Sequence, residues 1–133
     1  MHYFAYGFNL NKKQMKERCP DSRPLFAAVL PNYKVVFCGW SRIWRGGTAT
    51  LKKATGEKAR GAVYEISENC RQRLDRFEGH PTSCNHLKVT VFDEDGTAIE
   101  AITYVKSEGI EETNPGKEYL ATIVQGYRDW QIS

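Results

Sequence analysis

Glu78 is the residue whose type and position promise the most chemistry. It ends an amphipathic stretch and stands directly before Gly79. Helices usually finish with a basic residue ahead of such a glycine, because the C-terminal end of the helix dipole is partially negative. A carboxylate placed there, with Phe77 beside it to exclude water, should hold a proton more readily than a free Glu. Tuning of that kind suits a general base working near neutral pH. The plain alternative is a solvated Glu at a frayed helix end. The second feature is Tyr6-Gly7-Phe8-Asn9-Leu10. It follows an aromatic, alternating stretch from His2 that reads as a half-buried strand, and precedes a short helix over Lys12 to Arg18. A strand-to-helix turn leaves backbone N–H groups without internal partners, and these favour anions. Gly7 permits close approach of a ligand or a positive φ, and Asn9 or Asn11 could cap the helix.

Three further constellations carry alternatives. His80, Cys84 and His86 lie close enough in sequence to suggest a zinc site or a Cys84-His86 nucleophile pair, but they fall short of four ligands, and no metal is expected. Trp40, Arg42, Trp44 and Arg45 can be read as an RNA-contacting loop, a Trp-anchored loop with exposed arginines, or a pocket wall. No recognised nucleic-acid motif accompanies them. Tyr119, early in the last helix, is either a core aromatic or a hydroxyl donor in a site.

The elements that must position these residues follow in order. Pro31-Asn32 marks a turn, and Tyr33 to Gly39 reads as a buried strand pairing near the first. Thr48 to Lys53 and Ala59 to Ile66 read as a hairpin closed at Gly56. Ser67 caps a helix with a Cys70, Leu74 and Phe77 stripe. Leu87 to Phe92 and Ile99 to Lys106 are strands joined by Asp93-Glu94-Asp95-Gly96. Asn114 and Pro115 open a last helix whose apolar face is Leu120, Ile123, Val124 and Tyr127. About six or seven short strands with two or three interspersed helices indicate an α+β chain. The 133 residues fit one domain spanning 1–133. There is no long apolar run or leader-like start, so no membrane partner and a cytoplasmic location are expected. Cys19, Cys38, Cys70 and Cys84 form no C-x-x-C pair and are expected as free thiols. The net charge of +3 is mild and well mixed, and does not argue for nucleic acid.

The Tyr6 to Leu10 pentapeptide also resembles the Tyr-Gly-Ser-Asn-Leu signature of the gamma-glutamyl cyclotransferase-like family. The likeness continues through Met15 to Pro20, Gly46 to Thr50, Gly61 to Ile66, Leu74 to Gly79 and the Tyr119 helix. It implies a compact mixed β-barrel with flanking helices and a small γ-glutamyl substrate. It also implies release of 5-oxoproline without a cofactor. Carried onto this chain, Glu78 is the base, and the turn Tyr6, Gly7, Phe8, Asn9 and Leu10 donates to the substrate's carboxylate or oxyanion. Tyr119 orients the glutamyl group. Two departures stand out: Phe8 replaces the usual Ser, and Cys84 stands where many members carry Tyr. Both are expected to alter the side of the pocket that holds the leaving amine. A small-metabolite-binding module of the same fold is the alternative.

Overall fold

A computed structural model describes residues 1–132. In chain order it comprises β1 (His2–Ala5), a 3-10 turn (Phe8–Leu10), α1 (Lys12–Arg18), β2 (Arg23–Ser41) and β3 (Gly46–Glu65). These are followed by α2 (Glu68–Glu78), β4 (Cys84–Phe92), β5 (Ala98–Lys106) and α3 (Lys117–Asp129). The strands close into a barrel in the order β1-β3-β2-β4-β5. β1 runs antiparallel to β3, with Phe4 opposite Val63, and parallel to β5, with Tyr3 opposite Ile102.

Alternation along the strands builds two cores. Phe4, Leu30, Leu51, Val63, Val89 and Val91 belong to a cluster of strand residues joined by Tyr6, which fills the barrel. Their neighbours of opposite parity, Tyr3, Ala5 and Tyr64, pack outward with Met15 of α1 and Leu74 of α2. The helices therefore lie against the outside of the barrel wall.

The mixed α+β barrel matches expectation, but five strands do the work expected of six or seven. The two segments expected as a hairpin around Gly56 are halves of one strand, β3, and both pair with β2. Gly56, at φ 84°, sits in a bulge where its N–H bonds Asn32 Oδ1 at 3.0 Å, so a local turn signal is absorbed without reversing the chain. The reversal lies at residues 42–45, between Ser41 and Gly46. β3 also separates β2 from β1, so the Tyr33 to Gly39 segment does not pair with the first strand.

Helix ends follow local chemistry where a capping side chain is present. Asn11, not Asn9, caps α1 by accepting from Gln14 N, and Ser67 caps α2 by accepting from Cys70 N. At α3 the expected Asn114-Pro115 start is displaced. Pro115 bridges Gly47, and the helix begins after Gly116, which makes no side-chain cap. The buried face of α3 is Tyr119, Ile123 and Gly126, while Leu120 and Val124 are exposed. The stripe of α2 likewise ends at Leu74, since Phe77 is more than half exposed.

The cysteine expectation is corrected. Cys19 and Cys70 form a disulfide across 51 residues, and Cys38 and Cys84 remain free. No sequence spacing signals the pair. The barrel wall brings the end of α1 against the start of α2, and only that packing makes them neighbours. Alkylation of protein denatured without reductant should label Cys38 and Cys84 alone, with two more adducts after reduction. Four adducts before reduction would contradict the bond.

Candidate functional site

Glu78, the turn at Gly7 and Tyr119 meet in one cavity. Its outer part, about 460 Å³, is lined by Phe8, Arg18, Trp44, Glu78, Lys106 and Tyr119 among others. A small inner recess adds Tyr3, Tyr6, Gly7, Asn9 and Tyr104, and shares Phe8, Ala49, Glu78 and Tyr119 with the outer part. Leu10 lies behind the recess as a fully buried residue and does not line it.

The turn is shaped by close packing. A Cβ on Gly7 would fall 2.9 Å from Ala49 Cβ, so only glycine lets β3 come this near. Its φ is −131°, so close approach and not a left-handed conformation explains the residue. Phe8 to Leu10 form a single 3-10 turn that consumes the N–H groups of Leu10 and Asn11. Gly7, Phe8 and Asn9, whose N–H groups are not used by these two bonds, are residues that line the recess. From behind, Tyr64 Oη donates to Asn9 O at 2.8 Å and Trp130 Nε1 donates to Leu10 O at 2.8 Å. Asn9 is buried and serves the site, not the helix cap: its Nδ2 donates to Tyr3 Oη at 3.0 Å and its Oδ1 accepts from Arg18 at 3.2 Å.

Glu78 is delivered by the end of α2. Gly79, at φ 73°, lets its own N–H reach Arg76 O at 3.3 Å and that of His80 reach Asp75 O at 2.9 Å, the paired closure of a Schellman motif. The Glu78 side chain is 27% exposed, with Arg18 Nη1 3.6 Å from Oε1. Burial pushes its pKa up, and Arg18 and Lys106 pull it only partly back. The direction matches expectation, but the cause is the cavity. Phe77 lies over the Arg18 guanidinium instead of screening the carboxylate.

Tyr119 is buried at the other wall, where its hydroxyl accepts from Ala49 N–H at 2.9 Å. Burial raises its pKa to about 12 despite that bond, so the phenol keeps its proton and can donate it onward. Phe8 stacks on Tyr119 at 5.9 Å and meets Trp44 at a tilt at 5.1 Å, while Trp44 and Tyr119 lie 5.5 Å apart, so the three rings touch one another. Trp44 is thus a pocket wall, while Trp40, Arg42 and Arg45 are exposed. Tyr6 donates its hydroxyl to Tyr104 O and lines the recess.

The His80, Cys84 and His86 grouping does not assemble. Cys84 lines the cavity, with its thiol pushed up to about 11 by burial and by Glu78, so it stays protonated and does not act as a thiolate. Asp75 takes its place beside the two histidines. Its carboxylate accepts from Tyr104 Oη and from Arg71 at 2.9 Å, and contacts His86 Nε2 at 2.6 Å. The imidazoles stack 4.0 Å apart at 11°, so their in-plane lone pairs run side by side instead of converging. This cluster ties α2 to β4 and β5. Arg18, Lys106 and Asp75 were missed in the sequence. The only signal for Arg18 was its place two residues before Pro20, and for Asp75 its place three residues before Glu78.

With this geometry in view, a family profile described as "Gamma-glutamyl cyclotransferase, AIG2-like" matches residues 3–131. The chain belongs to this family. The gamma-glutamylcyclotransferase of Bos taurus is 28% identical over 132 residues, covering 96% of this chain and 70% of that one. The gamma-glutamylcyclotransferase of Homo sapiens is 27% identical over the same shares. A solved structure titled "Gamma-glutamyl cyclotransferase" superposes with a TM-score of 0.92 at 26% identity, covering 98% of this chain and 79% of that one. None of the helices among the described residues is long and apolar enough to cross a membrane.

The raised pKa of Glu78 has a consequence for stability. The fold favours its protonated form, so the favourable contribution is present below the unfolded Glu pKa and is lost as pH rises through the folded value. Glu78→Gln should therefore raise Tm at pH 8, and the gain should fade as the pH falls below the ordinary Glu range. Thermal melts across pH that show no gain at pH 8 would contradict the buried-carboxylate account.

Proposed function

We propose that this chain is a γ-glutamyl cyclotransferase-type enzyme. It would convert a γ-glutamyl amine or amino acid into 5-oxoproline and the free amine. The observation that carries the reading is a partly desolvated Glu78 carboxylate, with a raised pKa, in the same recess as the Gly7 turn and the Tyr119 hydroxyl. Family membership and the names of the relatives support it.

In the reaction the substrate's α-amine attacks its own γ-carbonyl. A lactam C–N bond forms and the C–N bond to the leaving amine breaks. Nucleophile and electrophile belong to one molecule, so the protein's task is to fold the substrate, move protons and stabilise the oxyanion. The α-ammonium sheds two protons in becoming a lactam N–H, and both end on the leaving amine. Glu78 can carry them in turn, as base before attack and as acid at expulsion. N–H groups of Gly7 to Asn9 would face the oxyanion, and the Tyr119 O–H would hold the glutamyl group. No step calls for a cofactor, and the partner is a small molecule. Phe8 and Cys84 border the outer cavity, which would hold the leaving amine. Their aromatic and small side chains favour a bulky, apolar one.

The rival, a binding module of the same fold, draws on Phe8, whose ring lines the cavity against Trp44 and Tyr119. Release of 5-oxoproline from a panel of γ-glutamyl amines and amino acids separates the two. Glu78→Gln should fold, keep binding, and lose roughly 10²-fold or more in turnover. A near wild-type rate would remove Glu78 from the mechanism, and no product from wild type on any substrate would favour the binding module. Cys84→Tyr should reorder the preferred leaving amines, and an unchanged ranking would remove Cys84 from that wall.

Lys106 supplies a further check. Activity requires ionised Glu78, so the rate falls as pH drops through its pKa. Removing a cation that pulls that pKa down should shift the acid limb of the profile to higher pH in Lys106→Met. A limb that stays in place would show that Lys106 does not act on Glu78.

A further inference from the structure

The Arg18 side chain is built more elaborately than a surface ion pair requires. Its guanidinium lies 4.6 Å from the Phe8 ring centroid and 4.7 Å from that of Phe77, clamped between two aromatic faces. Nη1 donates to Asn9 Oδ1 at 3.2 Å, and its separation of 3.6 Å from Glu78 Oε1 is too long for a hydrogen bond. Of the three Arg18 guanidinium nitrogens, Nη1 alone has a hydrogen-bond partner among the described residues. The fork therefore borders the cavity with donors to spare. Its backbone is pinned as well: Arg73 Nε donates to Arg18 O at 2.6 Å, and the next residue, Cys19, is bonded to Cys70 of α2. The helix that ends in Glu78 thus holds Arg18 at a set distance.

An anionic and a cationic group this close together form a cradle for one amino-acid head, whose ammonium and carboxylate share a single carbon. We infer that Arg18 is the specificity-determining residue that binds the α-carboxylate of the γ-glutamyl group, while Glu78 takes its α-ammonium. The assignment rests on the cyclotransferase reading. It leaves the Gly7 to Asn9 amides to the oxyanion. A planar guanidinium held by aromatic faces is preorganised for two parallel hydrogen bonds to a carboxylate. Occupied by that anion, Arg18 draws less on Glu78, which then accepts the ammonium proton more readily.

The test compares γ-glutamyl-p-nitroanilide with 4-aminobutyryl-p-nitroanilide, which lacks only the α-carboxylate and cyclises to 2-pyrrolidinone. Binding of 5-oxoproline and of 2-pyrrolidinone is measured in parallel by calorimetry. Wild type should prefer the carboxylate-bearing partner of each pair by on the order of 10- to 100-fold, the range of a charge-assisted hydrogen bond. Arg18→Met should erase the preference, its loss on the γ-glutamyl substrate exceeding the loss that the higher Glu78 pKa imposes on both substrates alike, and Arg18→Lys, the variant to read if Met does not fold, should reduce it. Equal loss on both substrates, or a preference unchanged in the variants, would overturn the assignment. If wild type cleaves neither anilide nor any member of the γ-glutamyl panel, the cyclotransferase reading fails, and the binding pair alone decides Arg18. A 5-oxoproline preference lost in the variants upholds its role, whereas equal or absent binding rejects it.

Discussion

Keeping the Glu78 carboxylate largely out of water is the constraint on which the cavity depends. An isolated carboxylate in a protein interior is costly enough that it usually protonates instead. Here the cost is moderated in two ways. The side chain retains partial exposure, and two cations, Arg18 and Lys106, stand near without fully neutralising it. Lys106 is itself held by Cys38 O at 2.8 Å and Thr48 Oγ1 at 2.9 Å, so it can act on Glu78 from a distance without collapsing onto it. A direct, fully hydrogen-bonded pair would have lowered the pKa and stabilised the fold. The arrangement found leaves the carboxylate basic.

The second requirement is stiffness in the turn that faces Glu78. A 3-10 turn alone is a weak scaffold, because its hydrogen-bond geometry is poor. Its rigidity comes from the surroundings. Tyr64 and Trp130 bond its carbonyls, and Asn11 Nδ2 donates to Thr122 O of α3 at 3.1 Å. A Cβ on Gly126 would fall 2.7 Å from both Asn11 N and Leu10 Cβ, which shows how closely α3 is pressed against the turn. An intramolecular cyclisation gains chiefly from orientation, so this stiffness bears on rate as directly as the base does.

The cluster of Asp75, His80, His86 and Tyr104 belongs to the same logic. It sits one turn before Glu78 on α2 and spans to both strands of the β4–β5 pair. Together with the Cys19–Cys70 bond, it fixes α2 at its two ends, so the carboxylate cannot drift relative to the barrel. The aromatic wall of Phe8, Trp44 and Tyr119 completes the cavity on the far side, on elements separated by more than a hundred residues.

Much of this was readable from the chain. The Glu-Gly pair at a helix end, the aromatic strand running into a Gly-Asn turn, the Ser67 cap and the β4–β5 hairpin are local signals, set by dihedral preferences and capping chemistry within a few residues. They determined the α+β class and pointed to Glu78 and the turn. What they could not fix is every feature that depends on distant segments. Gly56 looks like a hairpin turn, but its strand halves both find a better partner in β2. Asn114 and Pro115 look like a helix start, but Gly47 claims Pro115. The Cys19–Cys70 bond, the Arg18 clamp and the Lys106 charge arise because the packed barrel brings together residues as far as 68 positions apart. Local chemistry determined which residues could react. Only the closed barrel decided which of them meet, because burial and charge proximity are properties of the packed chain and not of the sequence near each residue.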